Sequence, residues 1–222
     1  MATACGVNLA RHDLVRVTPA SWAQIMAGCP GLADEPLLAE WAERRRPLIV
    51  RRAGCDDDRS VALVPLGLPL PPAQGRRRIA IRVPPVAICD VSSPPRLVEL
   101  VSSAPVAWSA TIDRLLRLDA DVRAYGSLAW QHATGLPYLA ATSDLDLLWR
   151  HAAGNSCEAL LAGIAAIEGQ APMRIDGEVV AADGGAVHWR ELQSGAAEVL
   201  VKRLDDIVVL PRGVFISSGS VS

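Results

Sequence analysis

The most informative segment of this 222-residue chain is Ser143-Asp144-Leu145-Asp146-Leu147-Leu148, in which carboxylates alternate with apolar residues. The alternation predicts a β-strand, with Asp144 and Asp146 on one face and Leu145 pointing into the core. Their Cα atoms would lie roughly 6.5–7 Å apart, because a strand rises about 3.3 Å per residue. Two carboxylates on one face repel each other unless a cation joins them, so Asp144 and Asp146 are predicted to bind Mg²⁺.

A second signal lies upstream, where a predicted strand over residues 122–125 ends in Gly126-Ser127 and leads into a helix. Glycine lets the backbone approach a phosphate closely, and the start of a helix offers free N–H groups and the positive end of its dipole. The Ser127 hydroxyl can donate one further hydrogen bond. We therefore expect Gly126 and Ser127 to bind phosphate opposite the metal.

The order strand, Gly-Ser, helix and Asp-x-Asp strand resembles the nucleotidyltransferase superfamily of the DNA polymerase β type. The resemblance implies a third carboxylate on a later strand, and the segment Met173-Arg174-Ile175-Asp176-Gly177-Glu178-Val179 offers two on one face. We expect Asp176 rather than Glu178 to be the third catalytic carboxylate, as metal ligand or general base. The alternative is that Asp176-Gly177 forms a turn and that neither carboxylate touches the metal.

Several segments resemble one family within this superfamily. They are Tyr125–Gln131, Thr134–Tyr138, Ser143–Leu148, Arg46–Arg52, Pro65–Pro71, Gly75–Ala80 and Gly185–Leu192. These segments are similar to the phosphoribosyl-dephospho-CoA transferases of malonate decarboxylase, also called its holo-acyl-carrier-protein synthases. The resemblance covers most of the chain, from about Arg11 to Leu210.

The family resemblance implies a specific reaction. The donor would be 2′-(5-triphosphoribosyl)-3′-dephospho-CoA, and the acceptor would be a serine of the apo acyl carrier subunit of malonate decarboxylase. The serine hydroxyl would attack the α-phosphorus, a phosphodiester would form and pyrophosphate would leave. Asp144 and Asp146 carry over as the catalytic carboxylates. Such a reaction depends mainly on positioning and charge neutralisation.

Two other functions use the same features. A related nucleotidyltransferase would move AMP from ATP to another protein or to a small molecule. An inactive module would only hold a nucleotide or a carrier, although two like charges kept together argue against a dead site. Nucleic-acid binding is disfavoured because the formal net charge is −2.

Positive charge comes almost entirely from arginine, since Lys202 is the only lysine. The arginines cluster at residues 44–52 and 76–82, and their guanidinium groups suit an anionic donor or an acidic carrier. Arg76, Arg77 and Lys202 are the candidates for phosphate binding. The alternative is a solvated surface paired with nearby acidic residues. The four histidines show no metal-ligand spacing and are assigned no role.

The sequence predicts an α+β protein of two domains. Residues 1–93 are expected to form a small N-terminal α+β domain that binds substrate or carrier. Residues 94–222 are expected to form the nucleotidyltransferase catalytic domain with a mixed sheet. The turn residues at Ser92-Ser93-Pro94-Pro95 mark the boundary. The proline-rich stretch 65–72 is predicted to be an apolar loop rather than a central strand.

The cellular location is predicted from what the chain lacks. No apolar run reaches the length of a membrane span, and the N-terminus has no basic region followed by an apolar core. The five cysteines are scattered and never form a CxxC motif, so a zinc site or disulfide framework is not expected. We expect a cytoplasmic enzyme without membrane or nucleic-acid partners.

Overall fold

The computed structural model describes residues 2–4, 7–29, 32, 35–54, 63–75, 77–151 and 156–218. The chain divides into two compact units, Met1–Ser93 and Pro94–Ser222. Each unit combines helices with β-sheet, which confirms the predicted α+β class. The turn residues at positions 92–95 lie at this division.

The first unit is built on a five-stranded antiparallel sheet. Its strands are β3 (Leu14–Val17), β4 (Leu48–Val50), β5 (Val64–Pro69), β6 (Arg78–Val83) and β7 (Ile88–Ser92), in the order β6-β5-β4-β3-β7. The pair β1 (Ala2–Ala4) and β2 (Val7–Leu9) is separate. The unit's described elements include the α-helices α1 (Pro19–Gly28) and α2 (Pro36–Ala39) and two 3₁₀ helices, Pro72–Gln74 and Pro85–Ala87. Helix α1 is capped by the Thr18 hydroxyl, which accepts from the Ser21 N–H.

Strand β5 shows that the prediction of an apolar loop over residues 65–72 is wrong for residues 65–69. Val64, Leu66 and Leu68 are buried and alternate with the half-buried Pro65, Gly67 and Pro69, so the strand has the period expected of a half-buried sheet. Pro65 has no N–H to donate to the sheet. Its carbonyl still takes part, because it accepts a hydrogen bond from Arg51 N, just after β4. β4 pairs only with Leu66 and Gly67, so it demands no donor from Pro69.

The second unit contains a six-stranded mixed sheet, as predicted. Its strands are β8 (Arg123–Tyr125), β9 (Leu145–Arg150), β10 (Ile175–Val180), β11 (Ala186–His188), β12 (Glu198–Lys202) and β13 (Ile207–Pro211). The spatial order is β13-β12-β11-β10-β9-β8. β9 and β10 run parallel, and the other neighbours run antiparallel.

The helices of this unit are α3 (Ser109–Leu118), α4 (Gly126–Thr134), α5 (Cys157–Glu168), α6 (Trp189–Gln193) and α7 (Arg212–Ser218). Two 3₁₀ helices, Leu97–Ser103 and Val106–Trp108, precede α3. The crossover between the parallel strands is made by α5, and the Ser156 hydroxyl caps it by accepting from Ala159 N at 3.2 Å. Among the described residues, no helix has the length and apolar character that crossing a membrane requires.

One face of the mixed sheet is buried in the core. Leu145, Leu147 and Trp149 of β9 pack in one cluster with Ile112 of α3 and Ile164 of α5. Each such aliphatic side chain contributes roughly 1.5–3 kcal/mol when it leaves water. Because side chains alternate along a strand, the intervening polar residues of β9 and β10 lie together on the opposite face.

Candidate active site

Asp146 lies on β9 between two neighbouring strands. It pairs with Tyr125 of β8 on one side and with Asp176 of β10 on the other. Adjacent strands are about 4.8 Å apart, and paired residues in a parallel ladder share a face. The sheet therefore sets the carboxylates of Asp146 and Asp176 side by side, although 30 positions separate them in the numbering.

Gly126 begins helix α4 directly against the Asp146 carboxylate. Its φ is +63°, in the left-handed region that favours glycine. A Cβ at this position would lie 1.8 Å from Asp146 Oδ2, so every other residue would collide with the carboxylate. The neighbouring Ser127 is half-buried, and within the described part of the chain its hydroxyl has no hydrogen-bond partner. That hydroxyl is free to bind a ligand.

Asp144, which was predicted to lie within the strand, immediately precedes β9, which begins at Leu145. Leu145 N donates to Arg174 O, so the pairing of the two segments continues beyond the strand and brings Asp144 alongside Arg174. Asp144 is half-buried and makes no ion pair or hydrogen bond with any described residue. A carboxylate without a protein partner is suited to bind a cation.

Asp144 and Asp146 were predicted to hold Mg²⁺, and their chemistry fits that ion. Among the described residues, no set of three or more His, Cys, Asp or Glu side chains converges to hold a metal. Magnesium, however, is usually bound through one or two carboxylates together with substrate phosphates. The two aspartates fit an ion that a phosphate-bearing substrate completes, and do not form an all-protein cage.

Asp176 is held by donors that reach one of its oxygens. Oδ1 accepts from Gly177 N at 2.9 Å and from His188 Nε2 at 2.5 Å, and Arg190 Nη1 lies 3.7 Å away. Burial raises the pKa of Asp176, but the hydrogen bonds from His188 and Gly177 and the charge of Arg174 outweigh it and leave that pKa below its ordinary value. Asp176 is therefore ionised at neutral pH.

The alternative placement of Asp176-Gly177 in a turn is wrong, since both residues lie within β10. Glu178, the other candidate for the third carboxylate, is buried and binds Lys202, with 3.0 Å between Nζ and Oε1. A buried carboxylate needs such a partner to offset its desolvation. The Lys202 ammonium, predicted to bind phosphate, donates one of its three N–H groups to Glu178.

The two arginines predicted to bind phosphate belong to the first unit. Arg76 lies outside the described residues. Arg77 is exposed, and its guanidinium lies 2.5 Å from Glu35 Oε2. This contact is a surface ion pair of the kind given above as the alternative for the arginine clusters.

Sequence reasoning missed three residues near the carboxylates: Arg174, His188 and Arg190. Arg174 is exposed, and no described residue forms an ion pair or hydrogen bond with its side chain. His188 ends β11 and its side chain caps α6. The signal was present in the hairpin itself, because antiparallel pairing sets His188 opposite Glu178 and diagonal to Asp176.

Comparisons with known proteins cover both units. Residues 96–213 match the family model described as the Phosphoribosyl-dephospho-CoA transferase MdcG C-terminal domain, and residues 10–94 match the corresponding N-terminal domain. A phosphoribosyl-dephospho-CoA transferase of Bradyrhizobium diazoefficiens is 45% identical over 216 residues, covering 96% of this chain and 94% of the relative. One of Xanthomonas campestris pv. campestris is 37% identical over 207 residues, covering 91% and 94%. No solved structure matches.

Proposed function

Because the chain belongs to the phosphoribosyl-dephospho-CoA transferase family, we propose that it modifies a serine of the apo acyl carrier subunit of malonate decarboxylase. As a member of that family it is an enzyme, a transferase. The proposed donor is 2′-(5-triphosphoribosyl)-3′-dephospho-CoA, and the leaving group is pyrophosphate. The observation that carries the proposal is the juxtaposition of Asp146 with Asp176 and with the start of α4 at Gly126.

The reaction is a substitution at phosphorus. The serine oxygen bonds to the α-phosphorus, the bond from that phosphorus to the bridging oxygen of pyrophosphate breaks, and the serine proton passes to a base. Asp176 is the proposed base, because it is an ionised carboxylate beside Asp146. Holding Asp176 next to the acceptor hydroxyl would raise the reaction rate, because base and hydroxyl would already have the orientation that proton transfer requires.

Binding of the triphosphate is assigned to three features on this face. The first turn of α4 offers N–H groups and the Ser127 hydroxyl to phosphate oxygens. Mg²⁺ bound by Asp144 and Asp146 would neutralise negative charge on the phosphates. Arg174, exposed beside Asp144, adds a guanidinium that can bind phosphate bidentately.

The proposed transfer is tested by measuring the mass of the carrier protein. Protein, Mg²⁺, the triphosphoribosyl donor and an apo acyl carrier subunit are incubated, and the carrier is examined by intact mass spectrometry. We expect a carrier heavier by one phosphoribosyl-dephospho-CoA group. An unmodified carrier, with the protein folded, would reject this donor and acceptor pair. Pyrophosphate release with ATP as the sole donor would support adenylyl transfer instead.

Replacing Arg174 by alanine should raise the KM for the donor about tenfold, with a smaller effect on the KM for the carrier. A charged hydrogen bond to phosphate contributes about 1.5 kcal/mol or more, which corresponds to roughly a factor of ten. The matched control is Arg150→Ala, because Arg150 is also exposed and lies at the opposite end of β9. Equal KM values for the donor in both variants would contradict a specific role for Arg174.

A further inference from the structure

His188 has a defined orientation beside Asp176. Its Nδ1 accepts from Arg190 N at 3.1 Å, which caps the start of α6. A ring nitrogen that accepts a hydrogen bond carries no proton, so the proton of the neutral ring belongs on Nε2. Nε2 lies 2.5 Å from Asp176 Oδ1 and donates to it. The backbone of α6 thereby sets the histidine as a donor to the carboxylate.

The two oxygens of Asp176 are in different situations. Oδ1 receives the hydrogen bonds from Gly177 N and His188 Nε2 and faces Arg190. Oδ2 has no partner among the residues that the structure describes. The carboxylate cannot rotate without losing the hydrogen bonds to Oδ1, so the position of Oδ2 is fixed as well.

A further layer of contacts holds Arg190 in place. Its Nη2 donates to Glu168 Oε1 and, at 2.8 Å, to Ile175 O, and its guanidinium lies 4.6 Å from the centre of the Trp189 ring. Glu168 Oε1 also accepts from Ile175 N at 3.2 Å. Strand β10 is thus tied to α5 and to the start of α6, from which His188 reaches Asp176.

We propose that His188 is a positioning residue: it holds Asp176 through Oδ1 and leaves Oδ2 as the oxygen that takes the proton of the acceptor hydroxyl. The inference rests on the proposed function, in which Asp176 is the base. His188 itself touches neither substrate in this scheme. Its contribution is to keep the receiving oxygen in a fixed place while the phosphodiester forms.

The kinetic test compares His188→Leu, which removes the donor, with His188→Gln, which retains an N–H at the end of the side chain. We expect kcat to fall about 10–100-fold in the leucine variant, as for other residues that orient a catalytic group. The glutamine variant should recover most of the loss, and the donor KM should stay unchanged in both. Ser156→Ala, which removes the cap of α5, is the control for loss of a helix cap and should keep kcat.

The same substitution is then made in the Asp176→Ala background. If His188 acts through Asp176, His188→Leu should cause no further loss of kcat there. An equal loss in both backgrounds, or a leucine variant with wild-type kcat, would overturn the proposal.

The tautomer provides a readout that does not depend on turnover. Long-range ¹H–¹⁵N NMR should show the proton of His188 on Nε2 in the wild type and a changed signal in Asp176→Ala. A proton on Nδ1 would overturn the proposed orientation even if the carrier is modified. An unmodified carrier with the proton on Nε2 would instead reject the proposed function and leave the geometry standing.

Discussion

Transfer of the prosthetic group should fall by about 10³-fold or more when Asp144 and Asp146 are both replaced by asparagine. Asparagine keeps the size of each side chain and removes both negative charges. Without them a magnesium ion loses its carboxylate ligands, and the charge on the phosphates is no longer neutralised in the transition state. A loss of about 4 kcal/mol of transition-state stabilisation corresponds to this factor.

The double variant should remain folded, because neither aspartate belongs to the hydrophobic core and the core residues of β9 are untouched. Thermal unfolding followed by circular dichroism checks this, while kcat/KM is measured with carrier and donor. Asp113→Asn, on the exposed side of α3, is the control for removal of a carboxylate elsewhere. A double variant that transfers the group at a rate near that of the wild type would refute the assignment of these residues.

Replacing Gly126 by alanine should lower kcat about 10²-fold or more. The new Cβ would lie 1.8 Å from Asp146 Oδ2 and 2.5 Å from Cγ, so the carboxylate or the start of α4 must move. A displacement of about 1 Å in a catalytic group can reduce the rate by this factor. The positive φ of Gly126 adds strain of roughly 1–2 kcal/mol for any residue with a Cβ.

Gly135→Ala separates these two causes. Gly135 ends the same helix with a φ of +69°, but a Cβ there would meet nothing within 4 Å. We therefore expect the control to lose only the stability that the positive φ costs, measured by denaturant unfolding, with kcat close to that of the wild type. If Gly135→Ala loses as much activity as Gly126→Ala, the backbone strain of α4 and not the contact with Asp146 explains the effect.

The candidate carboxylates and Gly126 could be proposed from the sequence because each leaves a local signal. Alternation along residues 144–148 placed Asp146 on a polar strand face. The resemblance to the transferase family also depended on short contiguous segments, and the family models cover the same parts of the chain. Side-chain period and motif order are properties of neighbouring residues, so a single sequence contains them.

The contacts between distant segments could not be predicted in this way. The register that pairs Asp146 with Asp176, the approach of Gly126 to Asp146 and the bond from His188 to Asp176 all join separate elements. The pairing of Lys202 with Glu178 likewise joins two strands that are not neighbours in the sheet order. A strand pattern is compatible with many partners, and long-range packing selects one.

The sequence by itself therefore determined the α+β class, the position of the Asp-x-Asp strand and the family of transferases to which the chain belongs. The tertiary structure alone decided which oxygen of Asp176 is occupied, which carboxylate Lys202 neutralises and why residue 126 is a glycine. The physical reason is that a strand's pattern arises from alternation within a few residues. The partners of a charged group depend instead on strand register and on the positions of the helices. Both are determined by the packing of the whole core.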